Sequence, residues 1–223
     1  MYLVKIYDGP NDETGLEIHS PYVSDLKLSK AEVNLVIDGI SDMSFAINPL
    51  NPAWGKIKPL RTLIKVFDLK KNKKIFDGRV LNPVQKMSSD GMFSIEYICE
   101  SKLAYLNDSN QRHGEYHDIS VRDFLQVIID NHNRQVEPHK QFKIGNVTVT
   151  DPNDSLYRYL GYEKTFATIK DKLIDRLGGY LVLRDEEDGM YLDYLENVGE
   201  LKGTPIRLRV NLKEMQREID PLD

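Results

Sequence analysis

The stretch LIKVFDLKKNKKIFDGRVLNPVQKMSSDGMFSIEYICES, Leu63 to Ser101, reads as three strands with their turns. LIKVFD runs out, LKKNKK turns, KIFDGRVLNPVQKM returns, SSDG turns again, and MFSIEYICES makes the third run. Each connection is short and polar, so neighbouring strands should pair antiparallel as a meander. Within the middle strand, Ile75, Asp77 and Arg79 project from one face, and Phe76, Gly78 and Val80 from the other. A glycine inside a strand marks a bulge, or a place where another backbone approaches closely. Phe76, Gly78 and Val80 are therefore expected to be a close-packing strand. The Asp77–Arg79 pair is expected to be structural, because working charge pairs favour strand ends and loops above a cleft.

Working outward, Tyr2 to Asp8 (YLVKIYD) alternates apolar and polar residues and ends at Gly9-Pro10. Ala31 to Gly39 (AEVNLVIDG) is a second strand candidate. Met43, Phe45 and Ile47 start another, which Asn48-Pro49 and Asn51-Pro52 break, since proline lacks the ladder donor. NPLNPAWGKIKP is then a loop or short helical excursion carrying the only tryptophan, Trp54.

The second half mixes helices with strands. Ser120 can cap a helix with Asp123 as its partner, and Phe124, Leu125, Val127, Ile128 and Ile129 give that helix a broad apolar face. FKIGNVTVTD and SLYRYLGY follow as strands or irregular segments. Thr165 opens a second helix, with Phe166, Ile169, Leu173 and Leu177 on one face, and Gly178-Gly179 stops it. GYLVLRDEEDGMYLDYLE is a hairpin with EEDG as its turn. The expected fold class is α+β, mainly β: an antiparallel barrel-like domain over residues 1–107 and a small α/β domain over 108–202. The boundary falls in the polar, aperiodic stretch SKLAYLNDSNQRHGEYHD. Residues 203–223 start a further strand and segment that this chain cuts short.

The 223 residues carry 30 Lys plus Arg against 35 Asp plus Glu, a net charge of −5. A mildly acidic chain is poorly suited to gripping phosphate backbones. The single cysteine, Cys99, sits in an apolar run and reads as a small buried hydrophobe, with no disulfide or cysteine metal site to make. There is no signal peptide, and no apolar run approaches the ~20 residues of a membrane span.

Catalytic signals are weak. His113, Glu115, His117 and Asp118 lie close in sequence, but their spacing does not match a helical metalloprotease motif, and they read as a solvated linker. His132 and His139 flank the end of the first helix, where cations suit the dipole. Asp151 to Ser155 and Asp185 to Gly189 are acidic clusters without calcium-loop register, the second reading as a solvated hairpin tip. Asp12, Glu13 and Glu17 offer carboxylates without a defined separation. No GxGxxG, P-loop, GxSxG or HExxH is present. No catalytic residue, metal or cofactor is expected.

The succession of parts resembles phage tail hub proteins and the related spike hubs of contractile injection machines. Phe76-Asp77-Gly78-Arg79-Val80 resembles the family's return strand, and LIKVFD with KKIFDGRV resembles its paired strands. NPLNPAW sits where the family carries an excursion, which makes Asn48, Pro49, Asn51, Pro52 and Trp54 the candidate inter-subunit or tip-contact loop. FATIKDKLIDRLGGYLVLRDEEDGMYLDYLE is similar to the family's α/β element, and NLKEMQREID to the segment leading to a second barrel. The resemblance implies a structural role at a phage or prophage tail tip, joining tube to tip. It implies a homotrimer, contacts with distal tail and tube proteins, and a conduit through which DNA passes without specific binding. Such a protein is made in the host cytoplasm and ends in the virion. Family members often carry a lysozyme or peptidase domain after the hub; none is visible in these residues, so that activity is not carried over. The competing readings are a cell-wall hydrolase or endopeptidase using His113 and His117 or the acidic residues, and a carbohydrate-binding module drawing on 12 tyrosines and an exposed Trp54.

Overall fold

A computed structural model describes residues 1–37, 39–87, 89, 91–152 and 158–199. Seven strands form one antiparallel sheet: β1 (Tyr2–Tyr7), β2 (Leu16–His19), β3 (Lys30–Asn34), β4 (Asp42–Ile47), β5 (Leu63–Asp68), β6 (Lys73–Met87) and β7 (Phe93–Ser101). Their order is β2-β1-β5-β6-β7-β4-β3, a curled half-barrel with the meander β5-β6-β7 at its centre. The strand expected over 31–39 is shorter, because Leu35, Val36 and Ile37 leave the sheet and stand exposed.

Alternation builds the first core. Val4 and Ile6, Met43, Phe45 and Ile47, Ile64 and Val66, Phe76 and Val80, and Tyr97 and Cys99 all point inward and pack together. Phe45 and Tyr97 face each other across β4 and β7, and their rings stack at 5.2 Å. Asp68 also points inward but ends its strand, its Oδ1 accepting from the Lys70 and Lys71 amides.

Two bulges break β6. Ile75 is an extra residue opposite Val66 and Phe67, and another extra residue lies between Val80 and Pro83. Pro83, which would remove a ladder donor from a regular strand, thus follows directly on an irregularity.

The second core belongs to helices and a smaller sheet. A 3₁₀ helix (Lys102–Asp108) buries Leu103, Tyr105 and Leu106 in it, so the stretch read as a polar boundary includes packed structure. The strand β8 (Gly114–Tyr116) follows and pairs with β10 (Arg158–Leu160). Helix α1 (Val121–Asn133) starts at Ser120, whose hydroxyl oxygen accepts from the Asp123 amide at 3.1 Å. Phe124, Leu125, Ile128 and Ile129 of α1 are fully buried, while Val127 lies at the margin. Strand β9 (Phe142–Val147) runs parallel to β12 (Gly189–Leu195), which pairs antiparallel with β11 (Tyr180–Glu186) across the Glu187-Asp188 turn.

Helix α2 (Thr165–Ile169) continues through a π turn (Lys170–Ile174) into the short α3 (Asp175–Leu177). A π turn takes in one extra residue, which the three-or-four spacing of the apolar side chains does not distinguish from an uninterrupted helix. Gly178 ends it at φ +72°, a conformation that L side chains rarely adopt. The strand read at the start of residues 203–223 lies outside the described residues.

Candidate functional site

Gly78 sits between the two bulges in regular pairing with Ile64 on one side and Ser101 on the other. A Cβ added there would collide with the carbonyl oxygen of Glu100 on β7. Its neighbours Phe76 and Val80 are buried in the sheet core.

The excursion after β4 is ordered by its asparagines. Asn48 Oδ1 accepts from the Leu50 amide and Asn51 Oδ1 from the Ala53 amide, both at 3.0 Å. Asn51 is buried and its Nδ2 donates to the Ile18 carbonyl at 2.9 Å, tying the loop to β2. Pro49 and Pro52 face outward with Leu50, which is 89% exposed. Trp54 is half-buried against the sheet core, which corrects its reading as an exposed ring. The loop thus offers prolines and a leucine outward, with its aromatic anchor turned in.

The sheet has two outer strands, β2 and β3. Each has a neighbouring strand on one side only, and such an edge is a template for another strand, although on β2 the Ile18 carbonyl is taken by Asn51. Beyond the body of the sheet, β6 and β7 run on as a two-stranded hairpin. Met87 and Phe93 lie directly opposite each other there, and both are exposed.

Asp77 and Arg79 do share a face but do not pair with each other. Asp77 is bound by Lys74 at 2.6 Å and Lys102 at 3.0 Å. Arg79, only 5% exposed, makes a two-pronged bond to Asp108 at 2.6 and 2.7 Å and a third to Glu100 at 2.7 Å. Asp185 is exposed but stands in β11 rather than at the tip, and Lys74 and Lys102 hold it at 2.6 and 2.9 Å. Burial alone would raise its pKa, but the two ammonium groups lower it to about 2. Asp188, at the true tip, is exposed and pairs with Lys143 at 2.6 Å.

The carboxylates near the N-terminus have structural partners. Asp12 accepts from the amides of Asp8, Thr14 and Gly15, and these bonds lower its pKa. Glu17 pairs with Lys5 at 3.3 Å. Asp151 is buried against Arg158 at 2.6 Å. His113, just before β8, meets Tyr159 of β10 edge-on at 5.3 Å, and of the four residues read as a linker only Glu115 lies in a strand. Among the described residues no group of three or more His, Cys, Asp or Glu is placed to hold a metal ion.

His132 is the histidine that composition misjudged. It is fully buried, and burial lowers its pKa, so the helix-end cation reading does not hold for it. Its Nε2 lies 3.0 Å from the Lys140 carbonyl and must donate; Nδ1 then accepts from the Ser109 hydroxyl at 2.7 Å. Ser109 also meets Thr165 Oγ1 at 2.6 Å, Gln111 Nε2 donates to Thr165 Oγ1 at 2.7 Å, and Asn131 donates to Gln111. A serine beside a histidine invites a hydrolase reading. Here both are buried, the far imidazole nitrogen is occupied by a carbonyl, and every member is satisfied within the core. The arrangement can specify packing; it cannot meet a substrate. Cys99 is likewise buried, and desolvation pushes its thiol pKa upward.

The architecture has solved counterparts. The chain is similar over 86% of its length to the 43 kDa tail protein of prophage MuSo2 from Shewanella oneidensis, with a TM-score of 0.51 and 15% identity. This is the fold of phage tail proteins. The tail-protein fold also extends to the Francisella PdpA–VgrG complex. In the half-lidded form, 89% of this chain matches at a TM-score of 0.50 and 13% identity. In the lidless form 89% matches at 0.51 and 13%. The chain spans 53% of the Shewanella protein and 32% and 35% of the two complex chains. No family model and no curated protein matches the sequence. Among the described residues no helix is long and apolar enough to cross a membrane.

Proposed function

We propose that this chain is a structural part of a phage or prophage tail-tip or baseplate hub. The observation that carries the reading is the shared architecture: a half-barrel sheet followed by an α/β unit, matching a prophage tail protein over 86% of the chain. In this reading residues 1–107 and 108–202 are separate domains and the hub is a homotrimer. The outer strands β2 and β3 meet those of neighbouring subunits, which closes the sheet edges into a ring. Phe76, Gly78 and Val80 hold the sheet tightly enough to keep the ring's wall thin. The loop with Asn48, Pro49, Asn51, Pro52 and Trp54 contacts a neighbouring subunit or the distal tail and tube proteins. The net charge of −5 suits a conduit through which DNA slides, since a basic lining would retain it. The protein acts without catalysis, assembling in the host cytoplasm and ending at the virion tail tip.

Light scattering and electron microscopy of the complete protein test this. The expected result is a trimer seen as a threefold ring. A chain that stays monomeric at rising concentration, or that clears host cell walls with no ring formed, overturns it.

A further inference from the structure

The two cores meet across a seam of charges. From the sheet come Lys74, Asp77, Arg79 and Glu100; facing them come Lys102 and Asp108, at the two ends of the 3₁₀ helix that joins the cores, and Lys140 and Asp185 of the α/β unit. Three ion pairs cross between them: Lys74–Asp185 at 2.6 Å, Lys102–Asp77 at 3.0 Å and Arg79–Asp108 at 2.6 Å. Tyr105 lies in the same seam, its ring 5.2 Å from the Arg79 guanidinium carbon.

Each side of the seam carries two positive and two negative groups, so neither side attracts the other at long range. The signs alternate instead. Sliding one side along the other brings Lys against Lys or Asp against Asp, and like charges in contact are costly. The seam is also poorly made for stability alone, because Oδ1 of Asp77 is buried without a hydrogen-bond partner among the described residues. Partly buried pairs of this kind contribute little net stability but can fix one arrangement among several.

We propose that these eight charges are an orientation lock. They hold the α/β unit at one angle on the half-barrel, and their loss frees that angle while each core stays folded. The lock sits on the face of β6 opposite Phe76, Gly78 and Val80, so it sets where the α/β unit projects from the sheet.

The test is a distance measurement within one chain, independent of any tail assembly. Spin labels go on Glu32→Cys and Lys170→Cys, both exposed, while the native Cys99 is buried and stays unlabelled. The unaltered seam should give one narrow distance distribution. In Asp108→Asn/Asp185→Asn the width should roughly double, as for domains joined by a weakened polar interface. Hydrogen exchange of the Phe45 and Ile128 amides should not change. Should Asp108→Asn unfold the chain by leaving Arg79 short of a partner, Lys102→Met/Asp185→Asn opens only the Asp77 end and should broaden the distribution less. An unchanged width, or joint loss of protection in both cores in both variants, overturns the lock.

Discussion

The two cores solve the same packing problem with different materials. The half-barrel core is filled by alternating apolar side chains, with Phe45 stacked on Tyr97 and Cys99 as a small filler. The α/β core encloses a thread of polar side chains, Ser109, His132, Thr165, Gln111 and Asn131, all buried. An apolar core asks mainly for volume and period, and tolerates exchange of similar residues. A polar thread asks for particular donors and acceptors, because any one left unpaired loses its hydration without return. Position should therefore govern sensitivity in the sheet, and chemical identity in the α/β unit.

The largest expected effect is at the tightest point of the sheet. Gly78→Val drives a side chain into the Glu100 carbonyl and should cost about 3 kcal/mol or more in denaturant unfolding. A cost below about 1 kcal/mol would mean that β7 can yield there. In the α/β core, His132→Ala strips partners from the Ser109 hydroxyl and the Lys140 carbonyl and should cost about 2–3 kcal/mol. His132→Gln should recover part of that if the hydrogen bonds matter more than the ring.

The same histidine gives the chain a pH signature. Burial lowers its pKa below the ordinary 6.5, opposed by its bond to the Lys140 carbonyl and by Asp108, and assisted by Lys140. Below pH 6.5 the unfolded chain therefore binds a proton that the folded chain refuses. Stability should be unaffected by this group above that pH and fall as pH drops below it, by at most about 1.4 kcal/mol per pH unit. Urea midpoints of the native chain and His132→Gln between pH 7.5 and 5.5 should diverge accordingly. Parallel curves would show that folding leaves the proton affinity of His132 unchanged. The smallest effect is Cys99→Ala, about 1 kcal/mol for a small void in an apolar core. The Cys99 thiol should react with a thiol reagent only as the sheet unfolds.

The same contrast explains what the sequence made legible. Strands β1, β4, β5, β6 and β7 announce themselves because a period of two survives any choice of apolar residue. The polar thread does not, because Ser109 and Gln111 stand in a stretch whose composition is that of a loop. Burial of a polar residue depends on partners far along the chain, such as Thr165, and no local pattern records them. The one available signal was Leu103, Ala104 and Leu106 inside that stretch, too apolar for a free linker. The seam was half legible. That Asp77 and Arg79 share a face follows from strand geometry, whereas their partners on the 3₁₀ helix, Lys102 and Asp108, belong to tertiary structure.

The outer strands have a consequence for how the protein behaves alone and in company. β2 is only four residues long and carries Glu17 in a pair with Lys5; β3 carries Lys30 and Glu32. Short length and charge blunt a strand edge against chance partners. Two free protomers in dilute solution should then pair only weakly and associate as concentration rises, whereas a scaffold that holds them side by side raises their effective concentration to the millimolar range at once. Edge pairing would follow from that confinement. Where copies are brought together, more than how tightly two of them bind, would decide when the sheet closes.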